Sequence, residues 1–162
     1  MPSKHSVRVS IDINAPQAAV WARVSEHEET RNWIPAVKRV TLTRVGEQRN
    51  GLGAVRVVEF KQRLWSAIHE RIVRFEAPQA FDYVLFKGMP ALMSHLGNVR
   101  VDDLGDDRSR LTWNVDFVFR SLHPFAPLIP STMRQFHQIL ADGIATLKRQ
   151  MESDPDRSVI EP

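Results

Sequence analysis

Apolar residues near the C-terminus recur at three- and four-residue intervals, the spacing of one buried face of an α-helix. The pattern runs from Ser131 to Glu152 and predicts a helix of about 33 Å, at ~1.5 Å per residue. A helix of this length can lie along a sheet and bury its apolar side against it. The apolar positions are Met133, Phe136, Leu140, Ile144, Leu147 and Met151.

Upstream of this helix, apolar and polar residues alternate, which is typical of half-buried β-strands. The first strand spans about 7–13. A short helix follows it, with Pro16 in its first turn and its end among residues 25–31, and a very short helix or turn is predicted at 32–37. Asn50-Gly51 predicts a hairpin. Because short turns join the later strands, we expect an α+β fold in which a seven-stranded antiparallel sheet wraps around the C-terminal helix. The later strands are predicted at 38–45, 53–62, 64–76, 79–87, 95–104 and 109–120.

Length, charge and composition narrow the class of protein. The 162 residues suit one domain over 1–152, with 153–162 as a disordered tail. The charge of +3 is scattered, so we expect no nucleic-acid partner, although transient contact with an anionic membrane surface is compatible with it. No cysteine, no leader and no apolar run of about 20 residues is present, and we therefore expect a cytoplasmic protein.

Side-chain alternation assigns the two faces of the strand at 64–76. Four apolar residues occupy odd-numbered positions and therefore point to the same side of the strand, which we take as the inner face. His69 and Arg71 also have odd numbers, so this assignment places them in the middle of the buried surface. Ile68 and Ile72 have the other parity, and a β-bulge would reverse the assignment. The four apolar residues are Trp65, Ala67, Val73 and Phe75.

A buried guanidinium needs a polar partner, because leaving it unpaired costs several kcal/mol. Glu59 on the adjacent strand is the candidate partner of Arg71. Arg71 then either takes part in an ion pair at the rim or the interior, or faces a wet cavity and orients a ligand oxygen. His69 is either a core residue or an acid–base group.

Further candidates lie on the predicted inner faces and near two apolar, proline-containing loops, 88–93 and 122–130. These loops either form a cavity mouth or cover one end of the core. No metal-ligand spacing, nucleophile elbow or cofactor motif is present, so we expect no metal and no cofactor. The candidate ligand-binding residues are Trp33, Glu59, Trp65, His69, Arg71, Tyr83, Met93, His95, Trp113 and Phe136, and the catalytic candidates are Arg71, His69 and Tyr83.

Several segments resemble the SRPBCC superfamily, which includes START domains, birch-pollen-allergen-like proteins and polyketide cyclase/dehydrase-like proteins. The resemblance covers roughly 5–152 and implies a helix-grip fold with a deep apolar cavity. Trp65 followed by Arg71 is similar to a cavity-lining pair in bacterial aromatase/cyclases. The resembling segments are Ile13–Trp21, Trp33–Val37, Glu70–Val73 with Ala77–Gln79, Arg110–Trp113 and Leu147–Lys148.

Three functions remain open from the sequence, and the weakest of them is a partner-binding module that acts on the membrane or a protein complex through the proline-rich loop. The preferred hypothesis is a non-catalytic protein that binds or carries a hydrophobic small molecule (lipid, quinone or polyketide-like), which enters beneath the two apolar loops. The alternative is a polyketide aromatase/cyclase or dehydratase in which Arg71 stabilises an enolate and His69 or Tyr83 moves protons.

Overall fold

The computed structural model describes residues 1–62 and 67–153. Seven strands form one antiparallel sheet in the order β1-β7-β6-β5-β4-β3-β2, which confirms the predicted α+β architecture. Trp65 and residues 154–162 of the predicted tail lie outside the described residues. The strands are β1 (Ser3–Ile13), β2 (Val37–Arg44), β3 (Val55–Phe60), β4 (Ile68–Glu76), β5 (Ala80–Lys87), β6 (Leu92–Gly105) and β7 (Arg108–Phe119).

Three short helical segments and one long helix complete the described part of the fold. Helix α1 (Gln17–Val24) and a 3₁₀ turn (His27–Asn32) follow β1, a second 3₁₀ turn spans Ala126–Leu128, and helix α2 spans Ile129–Glu152. All six apolar positions predicted for the inner face of α2 are buried. The helix begins two residues before the predicted start, and Pro130 fits in its first turn because the amide there has no helical partner.

Helix α2 also approaches the segment before β2 closely. A Cβ on Gly143 would lie 2.9 Å from Cγ1 of Ile34, so the absence of a side chain allows this contact.

No helix in the described ranges is both long and apolar enough to cross a bilayer.

The predicted hairpin is present, since β2 and β3 pair antiparallel. It is closed by the longer loop 45–54 and not by a two-residue turn at Asn50-Gly51. Asn50 is buried in this loop, where its main chain contacts the 3₁₀ turn.

Strand β4 shows the opposite face assignment from the predicted one over residues 68–73. Ile68, Glu70 and Ile72 are buried, whereas Arg71 is exposed and His69 is only half-buried. The pairing of β4 with β5 shifts by one position between Ile72 and Arg74, so two consecutive residues face outward there. Beyond this shift, the inner face is occupied by odd-numbered instead of even-numbered residues. Phe75 is therefore packed against the core rings, as expected, while Arg71 is not.

Candidate ligand-binding site

The most buried charges of the described structure form an ion pair between β3 and β4. Arg56 and Glu70 are register partners on the inner face and are 5% and 4% exposed. Arg56 Nε donates to Glu70 Oε2 over 2.7 Å. Two charges removed from water in this way are tolerated only because each supplies the counter-charge of the other.

His27 extends this pair into a polar network. Arg56 Nη1 lies 2.9 Å from His27 Nδ1, and because a guanidinium only donates, Nδ1 must accept. The proton of the neutral ring is then on Nε2, which donates to the carbonyl of Asn50 over 2.8 Å. Burial, aided by the positive charge of Arg56, lowers the pKa of His27 to about 3, so the ring stays neutral near pH 7.

Tyr83, on β5, covers the other side of Arg56. Its ring lies 4.8 Å from Arg56 Cζ, a cation–π contact, and its hydroxyl accepts a 2.7 Å hydrogen bond from Trp113 Nε1. Burial raises the pKa of Tyr83, and the nearby Glu70 carboxylate raises it further. The Tyr83 hydroxyl therefore keeps its proton and is able to donate it in a hydrogen bond.

His95 sits where β5 and β6 diverge. Paired residues of these strands run from Ala80–Arg100 to Tyr83–Gly97. Beyond that point the amide of Leu85 donates to His95 Nδ1 over 3.1 Å, so a side chain replaces a main-chain partner. Burial, with a smaller effect of Arg56, lowers the pKa of His95 to about 4. Its buried Nε2 has no hydrogen-bond partner among the described residues.

A small interior cavity of about 40 Å³ borders this network. Arg56, Glu70 and Tyr83 provide polar groups, and the rest of the wall is mostly apolar. This volume suits one or two waters or a single small polar group. The other lining residues are Thr30, Ile34, Val37, Val40, Val58, Phe60, Ile68, Trp113, Phe136 and Leu140.

A larger cleft of about 540 Å³ opens at one end of the sheet. It lies between the loop at 88–90, the end of β7 and the first turns of α2, which is where the sequence placed a cavity mouth. Ile68 borders both the cleft and the interior cavity. The other lining residues are Gly88, Met89, Pro90, Phe119, Phe125, Leu128, Ile129, Ser131, Thr132 and Gln135.

Three predicted site residues border the interior cavity: Tyr83, Trp113 and Phe136. Trp33 is buried behind them, with its ring 5.9 Å from that of Trp113, and His95 is buried beside Tyr83 at 5.4 Å. Met93, in contrast, is largely exposed.

The predicted inward positions of Arg71 and His69 were wrong, as was the pairing of Arg71 with Glu59. Arg71 packs over the exposed ring of Phe86 on the outer face, and the His69 ring contacts Phe86 as well. Glu59 is bonded by Arg39 at 2.6 Å on the solvent side. The register shift in β4 is the physical reason.

Sequence reasoning missed the Arg56–Glu70 pair and His27. The sequence carried one signal for Glu70, since the β-branched Ile68 and Ile72 flank it with the same parity. Within residues 1–62 and 67–153, no group of three acidic or histidine side chains is placed to hold a metal ion.

The sequence of residues 4–152 matches the family model described as polyketide cyclase/dehydrase and lipid transport. The chain belongs to this family. No curated protein matches the sequence. Family membership and fold together support a scaffold of the hydrophobic-ligand-binding or cyclase/dehydrase-like type.

Solved structures share this fold at low sequence identity. The Zhui aromatase/cyclase from Streptomyces sp. R1128 has a TM-score of 0.76 and 15% identity, covering 93% of this chain and 94% of that chain. A START superfamily protein from Mycobacterium smegmatis has a TM-score of 0.72 and 15% sequence identity, and the match covers 92% of this chain and 98% of that chain. Norcoclaurine synthase from Thalictrum flavum has a TM-score of 0.62 and 11% sequence identity, and the match covers 93% of this chain and 98% of that chain. At these identities the likeness is one of fold.

Proposed function

We propose that this protein binds and carries an elongated hydrophobic small molecule, such as a lipid, quinone or polyketide-like compound. The observation that supports this is the cleft of about 540 Å³, which falls within the ~300–1,000 Å³ range of small-molecule sites. Its wall is mostly apolar, and Ile68 also borders the interior cavity, which Arg56 lines. An apolar body in the cleft with one polar end toward Arg56 fits this arrangement.

The driving force is the removal of apolar surface from water. At about 25 cal/mol per Å², a ligand that buries ~400 Å² of apolar surface gains ~10 kcal/mol before the costs of ordering. The polar end then determines orientation more than affinity, because the interior cavity is small.

A second function, polyketide aromatase/cyclase or dehydratase activity, is favoured by the contact of Arg56 with Tyr83. Arg56 takes the electrostatic role that the sequence assigned to Arg71. The guanidinium of Arg56 and the protonated hydroxyl of Tyr83 are hydrogen-bond donors, which suits the stabilisation of a developing enolate oxygen. The fold of the Zhui aromatase/cyclase is compatible with this chemistry.

A matched pair of variants on α2 tests the carrier proposal. Thr132 lines the cleft, and Thr132→Trp should fill it and abolish binding of a lipophile. Gln138→Trp, on an exposed position of the same helix, should leave binding unchanged. Native mass spectrometry of the purified protein and thermal shifts with lipids and quinones measure both. Undiminished binding by the Thr132→Trp variant would place the site elsewhere.

Arginine substitutions separate the carrier from the enzyme. If the protein is a cyclase, Arg56→Met should lower turnover of a polyketide substrate at least ~100-fold, while Arg71→Met should not change it. A carrier should return the bound molecule chemically intact from both variants. Product analysis by liquid chromatography and mass spectrometry distinguishes the two outcomes.

We also propose transient contact of the open end with an anionic membrane surface. Phe125 and Leu128 are half exposed at the cleft, and Leu122 is fully exposed beside it. The segments 86–93 and 119–135, which contain most of the residues that line the cleft, carry Lys87, Arg120 and Arg134 and no acidic residue. Apolar tips among cations complement a negatively charged lipid surface.

A further inference from the structure

The polar wall of the interior cavity carries no net charge. Arg56 and Glu70 neutralise each other at 2.7 Å, and Tyr83 stays protonated. His27 stays neutral, because it accepts from Arg56 through Nδ1 and is buried. The positive charge of Arg56 is therefore already matched by a carboxylate of the protein.

This wall retains unused hydrogen-bonding capacity in both directions. Two donors, Arg56 Nη2 and the Tyr83 hydroxyl proton, make no hydrogen bond to a described residue. One acceptor, Glu70 Oε1, likewise accepts no hydrogen bond from a described residue. All three residues border the cavity of about 40 Å³. A group that accepts and donates at once satisfies both sides.

We propose that the polar end of the ligand is a single uncharged hydroxyl group and not a carboxylate. The inference rests on the proposed carrier function and specifies its ligand class. A hydroxyl accepts from Arg56 or Tyr83 and donates to Glu70. A carboxylate would bring a second negative charge beside the buried Glu70, and like charges disfavour the ionised form.

The volume of the cavity restricts the head group further. About 40 Å³ accommodates a hydroxyl, whereas a phosphate ester or a sugar requires more space. Together with the apolar cleft, this describes a long-chain or polycyclic alcohol or phenol. Ile68 lines both spaces, and in this proposal the hydroxyl passes Ile68 to reach Arg56.

Three ligands of equal chain length test the inference: 1-dodecanol, dodecanoate and dodecane, titrated at pH 8 and followed by tryptophan fluorescence. The wild-type protein should bind dodecanol at least ~10-fold more tightly than dodecanoate. Glu70→Gln removes the negative charge and leaves Arg56 unmatched, so the preference should reverse toward dodecanoate. Glu59→Gln, which alters an outer-face ion pair, should retain the wild-type preference.

Tyr83→Phe provides a second variant that keeps the aromatic ring. It should weaken dodecanol binding several-fold and leave dodecane binding unchanged, because only the hydroxyl is lost. Equal or tighter binding of dodecanoate by the wild-type protein would overturn the hydroxyl inference while leaving the carrier function intact. No binding of any of the three ligands, dodecane included, would overturn the carrier function and this inference with it.

Discussion

Tyr83 rests directly on the main chain of Gly97, its register partner on the neighbouring strand. A Cβ at Gly97 would lie 2.1 Å from Cζ of the Tyr83 ring, closer than any two such atoms can approach. This contact holds the ring flat against β6, from where it covers Arg56 and receives the hydrogen bond of Trp113. The position of the polar wall therefore depends on a residue that has no side chain.

Gly97→Ala should displace the Tyr83 ring and destabilise the protein by about 1–3 kcal/mol, the usual cost of overpacking. Urea unfolding measures the loss, and near-UV circular dichroism reports the disturbed Trp113 environment. In the Tyr83→Ala background the same substitution should cost less, because the clashing ring is gone. Additive effects of the two substitutions would contradict the proposed contact.

Breaking the buried ion pair from one side should be costly. Arg56→Met leaves Glu70 buried without its counter-charge, and we expect a loss of about 3–5 kcal/mol in the free energy of unfolding. The double variant Arg56→Met/Glu70→Leu should recover most of that loss, because no buried charge remains. Arg39→Met, which breaks an exposed pair with Glu59, should leave the free energy of unfolding almost unchanged. A double variant no more stable than Arg56→Met would show that the charges themselves stabilise the fold.

Stability should fall as the pH drops below about 6.5. Burial lowers the pKa of His27 to about 3 and that of His95 to about 4, so the folded state keeps both rings neutral while the unfolded chain takes up protons. Stability then rises with pH between about 4 and 6.5, by about 1.4 kcal/mol per pH unit for each histidine. Denaturant unfolding between pH 6.5 and 5 measures this slope.

His27→Gln should remove about half of that slope, and His137→Gln, at an exposed site on α2, should leave it unchanged. An unaltered slope in the His27→Gln variant would mean that the ring is protonated in the folded protein. The interval ends at pH 5 to limit the contribution of carboxylates.

Membrane contact should depend on the exposed tip of the 122–130 loop. Leu122 is fully exposed and does not line the cleft, so Leu122→Asp should weaken partitioning onto anionic phosphatidylserine vesicles without affecting ligand binding. Vesicle co-sedimentation at low and high salt measures the effect. Val45→Asp, an exposed apolar position in the β2–β3 connection, serves as the matched control. Equal partitioning of both variants would remove the docking proposal.

Much of the fold could be read from the sequence because it depends on regular periodicity. The six apolar positions of α2 are all buried as predicted, and the hairpin at residues 45–54 lies where Asn50-Gly51 indicated it. The cleft lies at the two apolar, proline-containing loops, which agrees with one of the two interpretations that the sequence left open for them.

The site residues were harder to predict because face assignment along a strand fails at a single irregularity. Phe75 faces the core, and extrapolation from it by strict alternation placed Arg71 inside. The register shift between Ile72 and Arg74 interrupts that alternation, so Glu70 occupies the interior instead. The opposite parity of Ile68 and Ile72 indicated that such a shift was possible but did not fix its position.

The sequence by itself determined the elements and their antiparallel arrangement, because both follow from spacing between near neighbours, and its resemblance to a known family indicated the scaffold. The tertiary structure decided which arginine is buried, how His27 reaches it across 29 positions of the chain, and how little space remains beside them. Those features arise from register and packing between residues distant in sequence, which short-range periodicity does not encode.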